Sequence, residues 1–360
     1  MIIGSISENK KLEKRISVTP EIAKKYIDNG FSVSLEKGYG EHLGIFDKDF
    51  MSAGCEIQSK DHILKNSDLI LQMNLPDKND LVYIKEKKIL IGNFNSNNNK
   101  DIINSIKDKI SVFSMELLPR ITRAQSMDIL SSQANLAGYK AVVDSFAMFK
   151  KAIPMMMTAA GTISAANVLV VGAGVAGLQA IATAKRMGAI VFATDVRIAS
   201  KEQVESLGGK FLVVEGAENL ETEGGYAKEA SEEFKKKQEE LILETLKKID
   251  IVICTALIPG KKAPKIINEK MIENMQSGSV IYDLAASQGG NAAYTKADEI
   301  VEMNGVTIFG ESTILNKLPV SASNLYSKNL YNFVINLYDK ENKKINLNLE
   351  DEIISKTLIK

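Results

Sequence analysis

Residues 167 to 197 read NVLVVGAGVAGLQAIATAKRMGAIVFATDVR, a strand, a glycine turn, a helix and a second strand. Glycines cluster in many turns, so the spacing GxGxxG alone is weak. Here Gly172, Gly174 and Gly177 directly follow VLVV, open the helix LQAIATAKRMG, and are answered by Asp195 at the end of the next strand, which is the context a dinucleotide fingerprint requires. Gly172 permits the tight turn, Gly174 lets a pyrophosphate approach the backbone, and Gly177 lets helix pack on strand. The helix N-terminus then faces the negative charge. Asp195 can accept both ribose hydroxyls of NAD(H), whereas a 2′-phosphate would meet its carboxylate at close range. Arg197 keeps a relaxed or NADP preference open, because an arginine there can receive that phosphate. The alternative reading is a purely structural glycine turn.

Working outward, later strands are expected at KFLVV, DIVICTAL, SVIYDLA and VTIFG, each separated by a helical or turn segment, which describes a doubly wound sheet. Upstream, Met1 to Ser7 reads as a strand, and Thr19-Pro20-Glu21 opens a helix with Thr as N-cap and Pro at its first position. FSVSLEKG, LILQMNLP at 69 to 76, KILIGNF at 88 to 94 and Val112 to Leu118 supply further strands, so a second parallel sheet is implied. A long helix, roughly Ser126 to Lys150, and the Pro154-Met-Met-Met that follows suit a connection between domains. A helix near Ser321 to Asp339 could return to the first domain. The expected fold is α/β, with two Rossmann-like domains and NAD in the cleft between them. An outer, discontinuous domain takes residues 1–139 and 319–360, and the NAD-binding Rossmann domain takes 140–318.

The bulk composition narrows the function. Lys plus Arg and Asp plus Glu are 45 each, so no net pull toward nucleic acid or anionic lipid exists. Cys55 and Cys254 show no CxxC or CxxH spacing, which argues against a disulfide framework or a structural zinc and fits a reducing compartment. No metal ligand set stands out. The start MIIGSISENKKLEKR has too short an apolar run for a signal segment, so export is not expected. Ala165 to Ala182 approaches membrane-spanning length, but Asn167, Gln179 and three glycines fit a strand and helix better.

Chemistry at a transferred hydride commonly uses a His or Lys acid/base. His42, in YGEHLG, and His62, beside Asp61, read better as surface or capping residues. The polar segment PRITRAQSMDILSSQANLAGYKA from Pro119 crowds Arg120, Arg123, Gln125, Asp128, Ser131 and Ser132, with Gln133 and Asn135, at a loop-to-helix junction. It is either a helix start with Ser126 as N-cap and Asp128 in the first turn, or an edge that holds a nicotinamide carboxamide and ribose.

RITRAQSMDILSSQANLAGYKAV, PMMMTAAGTI, VLVVGAGVAGLQAIATAKRMGA, DVRIASKEQVESLGGKF, GGYAKEASEEFKKKQ, ALIPGKKAPKII and SVIYDLAASQGGN together resemble the NAD(H)-binding subunit of proton-translocating nicotinamide nucleotide transhydrogenase, in its separate alpha-1 form. The likeness covers nearly the whole chain. It implies hydride transfer from NADH to NADP+ held on a partner subunit, coupled to proton movement by a membrane-spanning partner. Arg120, Gln125 and Asp128 would line the transfer site, with Ser131 at the nicotinamide. Gly225 and Tyr226 match a mobile loop that closes over the cofactor, with Gln238 and Leu257 nearby. Val175, Ala176, Asp195, Val196 and Arg197 match adenosine and pyrophosphate contacts. The resemblance further implies a homodimer, cytoplasmic and peripheral at the inner membrane through its partners. Direct hydride transfer needs two aligned rings within about 3 to 3.5 Å but no general acid or base, which suits a chain with two histidines.

Two rival functions remain at this level. Alanine dehydrogenase resembles the chain in architecture and in EKRISVTPE, and Arg15 matches a substrate-binding Arg of that family. Its family lysine and histidine are replaced here by Asn74 in LQMNLPD and Asn95 in GNFNSNNN. A non-catalytic NAD-responsive protein would keep the glycine turn and Asp195 but have no need of the 120 to 131 segment.

Overall fold

A computed structural model describes residues 1–214, 231–257 and 261–359, and the chain divides into two compact units, Met1–Gln133 with Leu318–Lys360, and Ala134–Lys317. Both are α/β with parallel sheets.

The first unit is built on strands β1 (Ile2–Ser5), β2 (Ser32–Glu36), β3 (Glu56–Gln58), β4 (Leu69–Leu71), β5 (Ile89–Gly92) and β6 (Ser111–Ser114), in the order β3-β2-β1-β4-β5-β6. All five pairings are parallel. LIL and ILIG are buried along their whole length, as a sheet covered on both faces demands. One face packs Tyr26, Phe31, Val33 and Phe113 against Tyr326, Leu330, Phe333 and Val334 of the Pro319–Leu337 helix. The other packs Ile63, Leu64, Phe94 and Val112. The C-terminal helix is thus built into this core, and each large side chain it buries contributes about 1.5–3 kcal/mol. Thr19 does not cap the Pro20–Asp28 helix with its side chain. Its backbone N–H instead donates to Ser327 Oγ at 3.2 Å, tying the helix start to the C-terminal helix.

The second unit carries an exposed hairpin of β7 (Met156–Thr158) and β8 (Gly161–Ile163), then β9 (Asn167–Val171), β10 (Ile190–Thr194), β11 (Lys210–Phe211), β12 (Ile251–Cys254), β13 (Val280–Asp283), β14 (Ile300–Met303) and β15 (Val306–Gly310). The sheet order is β11-β10-β9-β12-β13-β15-β14. Every pairing is parallel except β14 with β15. Ala165 to Ala182 resolves into β9 and the start of the Val175–Arg186 helix, and no helix among the described residues is long and apolar enough to cross a membrane.

Three details depart from the sequence reading. Pro154 and the methionines after it lead into the β7–β8 hairpin inside the second unit. The chain passes between units elsewhere, within the Ile129–Met148 helix at Gln133/Ala134 and again at Lys317/Leu318. The expected KFLVV strand stops after Phe211, and β14 is an edge strand whose half-exposed IVEM carries no continuous apolar run.

Candidate dinucleotide site

The glycine turn between β9 and the Val175–Arg186 helix is built by three different constraints. Gly172 has φ +94°, a left-handed conformation that side chains disfavour. A Cβ on Gly177 would stand 1.8 Å from the Gly172 carbonyl oxygen, so only hydrogen fits where helix meets strand. A Cβ on Gly174 would meet nothing within 4 Å. Gly174 occupies the N-cap position and no side chain caps this helix, so the first-turn N–H groups, those of Val175 and Ala176 among them, point into clear space suited to an anion. The turn therefore fits a pyrophosphate on its own geometry.

Asp195 leans back over that turn. Its Oδ2 accepts from the Ala173 N–H at 2.7 Å, and its Oδ1 accepts from the Arg197 N–H at 2.8 Å. The Arg197 guanidinium grips the same carboxylate, Nε to Oδ1 at 2.9 Å and Nη2 to Oδ2 at 2.8 Å. Val196 lies half-buried between the two. The Arg197 charge is already directed at Asp195, so a 2′-phosphate would have to compete with a bidentate carboxylate for it. Gln238, buried on the Glu232–Leu246 helix, reaches Thr194 Oγ1 at 3.5 Å. Leu257 is exposed past the end of β12. Gly225 and Tyr226 lie outside the described residues.

A second wall of this turn was not singled out by sequence reasoning. Thr255 Oγ1 donates toward the carbonyls of Gly172 (2.9 Å) and Val171 (3.1 Å). The Ala256 N–H donates to Asn291 Oδ1 at 3.0 Å, while Asn291 Nδ2 donates to the Ala256 carbonyl at 2.8 Å and to that of Pro264 at 2.9 Å. Asn291 is in turn fixed by Asp283, whose Oδ2 accepts the N–H groups of Asn291 (2.7 Å) and Ala292 (3.0 Å) and the Thr295 hydroxyl (2.7 Å). Both Asp283 and Asn291 are fully buried.

In the first unit the 120 to 133 segment sorts into an outward and an inward set. Ala124 and Met127 are buried against the C-terminal helix core, while Arg120 and Gln125 are exposed. Arg123 is a structural pin, held by Asp351 through both guanidinium nitrogens. Asp128, not Ser126, caps the Ile129–Met148 helix: its Oδ1 accepts the Ser131 N–H at 2.9 Å and its Oδ2 the Ser131 hydroxyl at 2.6 Å. The Ser126 carbonyl is occupied by the side-chain amides of Asn329 and Asn332. Ser132 bonds Asn329 Oδ1, and Gln133 bonds the Ala322 carbonyl. The structure thus brings Asp128 and Ser131 together and turns Gln125 outward.

Arg15 is enclosed rather than offered to a ligand. Its guanidinium bonds both carboxylate oxygens of Glu13 (2.8 and 2.6 Å) and Gln133 Oε1 (2.9 Å). Next to it in the same unit, Glu8 accepts from Gln72 Nε2, the N–H groups of Met73 and Asn74, and Asn74 Nδ2. Burial pushes its carboxyl up to about 7 against the opposing pull of these donors, and Glu13 adds to the rise. His42 Nε2 meets the Lys14 carbonyl on the surface, and the His62 N–H is capped by Ser59.

Comparison with known proteins accords with this architecture. Residues 4–137 match the family described as alanine dehydrogenase/PNT, N-terminal domain, and residues 141–360 its C-terminal domain. The chain is 48% identical over 368 residues to the first of the polypeptides named NAD(P) transhydrogenase subunit alpha in Rhodospirillum rubrum, covering 100% of this chain and 96% of that one. It is 46% identical over 365 residues to the protein of the same name from Rickettsia prowazekii, covering 100% and 94%. A solved transhydrogenase structure from Sinorhizobium meliloti superposes with a TM-score of 0.90 at 42% identity, over 99% of this chain and 98% of the other. With both family domains matched and full-length relatives above 40% identity, the chain belongs to the alanine dehydrogenase/PNT family, in its NAD(P) transhydrogenase alpha-subunit branch.

Proposed function

We propose that this chain is the NAD(H)-binding component of a proton-translocating transhydrogenase, passing hydride from NADH to NADP+ bound on a partner subunit, with a membrane-spanning partner coupling the transfer to proton movement. The observation that carries this reading is the open face of Gly174 at an uncapped helix N-terminus, with Asp195 at the end of the neighbouring strand. Val175, Ala176 and the turn glycines would hold the pyrophosphate, and Asp195, Val196 and Arg197 the adenosine ribose. Gln238 and Leu257 border the same end of the sheet. The bound dinucleotide supplies the hydride, and the chain's residues bind, orient and exclude water. Arg120, Gln125, Asp128 and Ser131 would align the nicotinamide, with Tyr226 closing over it. Alignment is the whole demand, since hydride passing from ring to ring leaves no proton to be moved in that step.

Alanine dehydrogenase activity finds less support. Arg15, which would bind a substrate carboxylate, is neutralised by Glu13, and Asn74 takes the place of the family lysine. The exposed Met155, Met157 and Ile163 of the β7–β8 hairpin region favour burial against another chain, consistent with a homodimer. Attachment at the cytoplasmic side of the inner membrane would come through the partners.

Reconstitution tests the proposal: the chain is mixed with an NADP-binding transhydrogenase component, and hydride exchange between NADH and an NADP+ analogue is followed. Exchange that requires both proteins is expected. Its absence, or alanine-dependent NAD reduction by this chain alone, would overturn the reading.

A further inference from the structure

We propose that Asn291, braced by Asp283, is a positioning residue that sets the backbone at Thr255 and Ala256 as the nicotinamide-side wall of the dinucleotide site. The proposal rests on the NAD(H)-binding reading above and extends it to residues outside the fingerprint.

In a doubly wound sheet the dinucleotide crosses the carboxyl ends of the strands where the strand order reverses. That point here lies between β9 and β12, because β10 and β11 extend the sheet one way from β9, and β12, β13 and β15 extend it the other. Asp195 ends β10 and so marks the adenosine side. Thr255 and Ala256 leave β12, on the opposite side, and stand against the turn itself: a Cβ on Gly172 would lie 2.9 Å from Thr255 Oγ1 and 3.0 Å from the Ala256 nitrogen. Whatever fixes Ala256 fixes the surface next to the pyrophosphate turn.

The Asn291 amide does this in a way no apolar residue could. It donates to and accepts from the Ala256 peptide together, as a neighbouring strand would, beyond the end of β12 where the ladder has stopped. Its second amide hydrogen holds the Pro264 carbonyl, so one buried side chain ties two stretches of loop. Asp283 fixes Asn291 from behind through the Asn291 and Ala292 N–H groups and the Thr295 hydroxyl, with the Ala285 N–H on its other oxygen at 2.9 Å. Every polar atom of the clasp is satisfied, so it has one low-energy arrangement and transmits a fixed position to Ala256.

Asn291→Asp is nearly the same shape but places an acceptor against the Ala256 and Pro264 carbonyls. Titration calorimetry of the full chain with NADH and with ADP-ribose, and amide exchange at Ala256 without ligand, test the role. The expected result is a roughly tenfold weaker NADH affinity, the size of loss a mismatched buried amide produces, with ADP-ribose affinity changed less than about twofold. Ala256 exchange should accelerate while protection in β9 and β10 is kept. Thr295→Val removes one donor from Asp283 and, if Asn291→Asp does not fold, serves alone: it should shift the ratio of the two affinities in the same direction by roughly threefold. Equal losses for both ligands, or unchanged Ala256 exchange, would make Asn291 a folding residue and overturn the proposal. A wild-type chain that binds ADP-ribose or NADH in neither titration would overturn the underlying cofactor reading, and the proposal with it.

Discussion

Gln125 faces solvent on the Thr122–Met127 turn, while its neighbours Ala124 and Met127 anchor that turn in the core. Shortening the side chain to Asn leaves the anchors intact and withdraws the amide by one methylene. Gln125→Asn should therefore slow hydride transfer by on the order of tenfold to a hundredfold, the penalty of about 1 Å of misplacement at a reacting centre, while NADH affinity changes little. Stopped-flow transfer rates set beside equilibrium NADH binding check this, and equal losses in both would reduce Gln125 to a binding residue. Glu8 supports a pH prediction in the first unit. Its carboxyl is raised by burial from 4.5 to about 7, so the neutral form is favoured by folding. The stabilisation is complete below about pH 4.5 and disappears as pH rises through 7, up to about 3 kcal/mol in all. Glu8→Gln should flatten that slope, measured as unfolding midpoints from pH 4.5 to 8. At this scale the sequence was most legible where chemistry is local. Gly172, Gly174, Gly177 and Asp195 could be placed because turn and strand end are neighbours in the chain. Asn291 could not, since its partner Ala256 is 35 residues away and a buried amide looks like any loop asparagine. Ser126 and Asp128 were equally able to cap the helix that follows. Asp128 does so because Ser126 is drawn toward Asn329 and Asn332, which lie far along the chain.

Among the elements, the Ile129–Met148 helix and the Val175–Arg186 helix come together at Gly138. A Cβ there would sit 2.0 Å from the Ala176 carbonyl oxygen, at the very turn proposed to receive the pyrophosphate. Gly138→Ala should destabilise the second unit by about 1–3 kcal/mol through overpacking. It should also weaken NADH binding, because the Ala176 peptide must shift to make room. Thermal unfolding with and without NADH separates the two effects, and a variant of unchanged stability and affinity would show the contact to be adjustable. Strands buried on both faces, such as LIL at 69 to 71 and IVIC at 251 to 254, announce themselves as apolar runs. The edge strand β14 and the β7–β8 hairpin do not, because an exposed strand carries no such run and MMT with GTI reads as linker until the pairing is seen.

Across the whole molecule, the decisive arrangement is that the first unit is closed by the chain's last segment. Tyr326, Leu330, Phe333 and Val334 fill its core, and the hydroxyls of Ser323 and Ser327 accept the N–H groups of Ile16 and Thr19. Ending the chain after Lys317 should leave the first unit unable to fold, while residues 134–317 produced alone should fold and bind ADP-ribose. Limited proteolysis and circular dichroism of both fragments would show it, and a stable 1–317 chain would contradict the argument. The same closure dictates an order of events on the ribosome. The six strands of the first sheet emerge first, yet the helix that covers one face of them is made only after all of Ala134–Lys317. At roughly 5–20 residues per second that wait is on the order of 10 to 40 s, so the middle of the polypeptide can finish folding while its beginning still presents bare apolar surface to the chaperones of the cell.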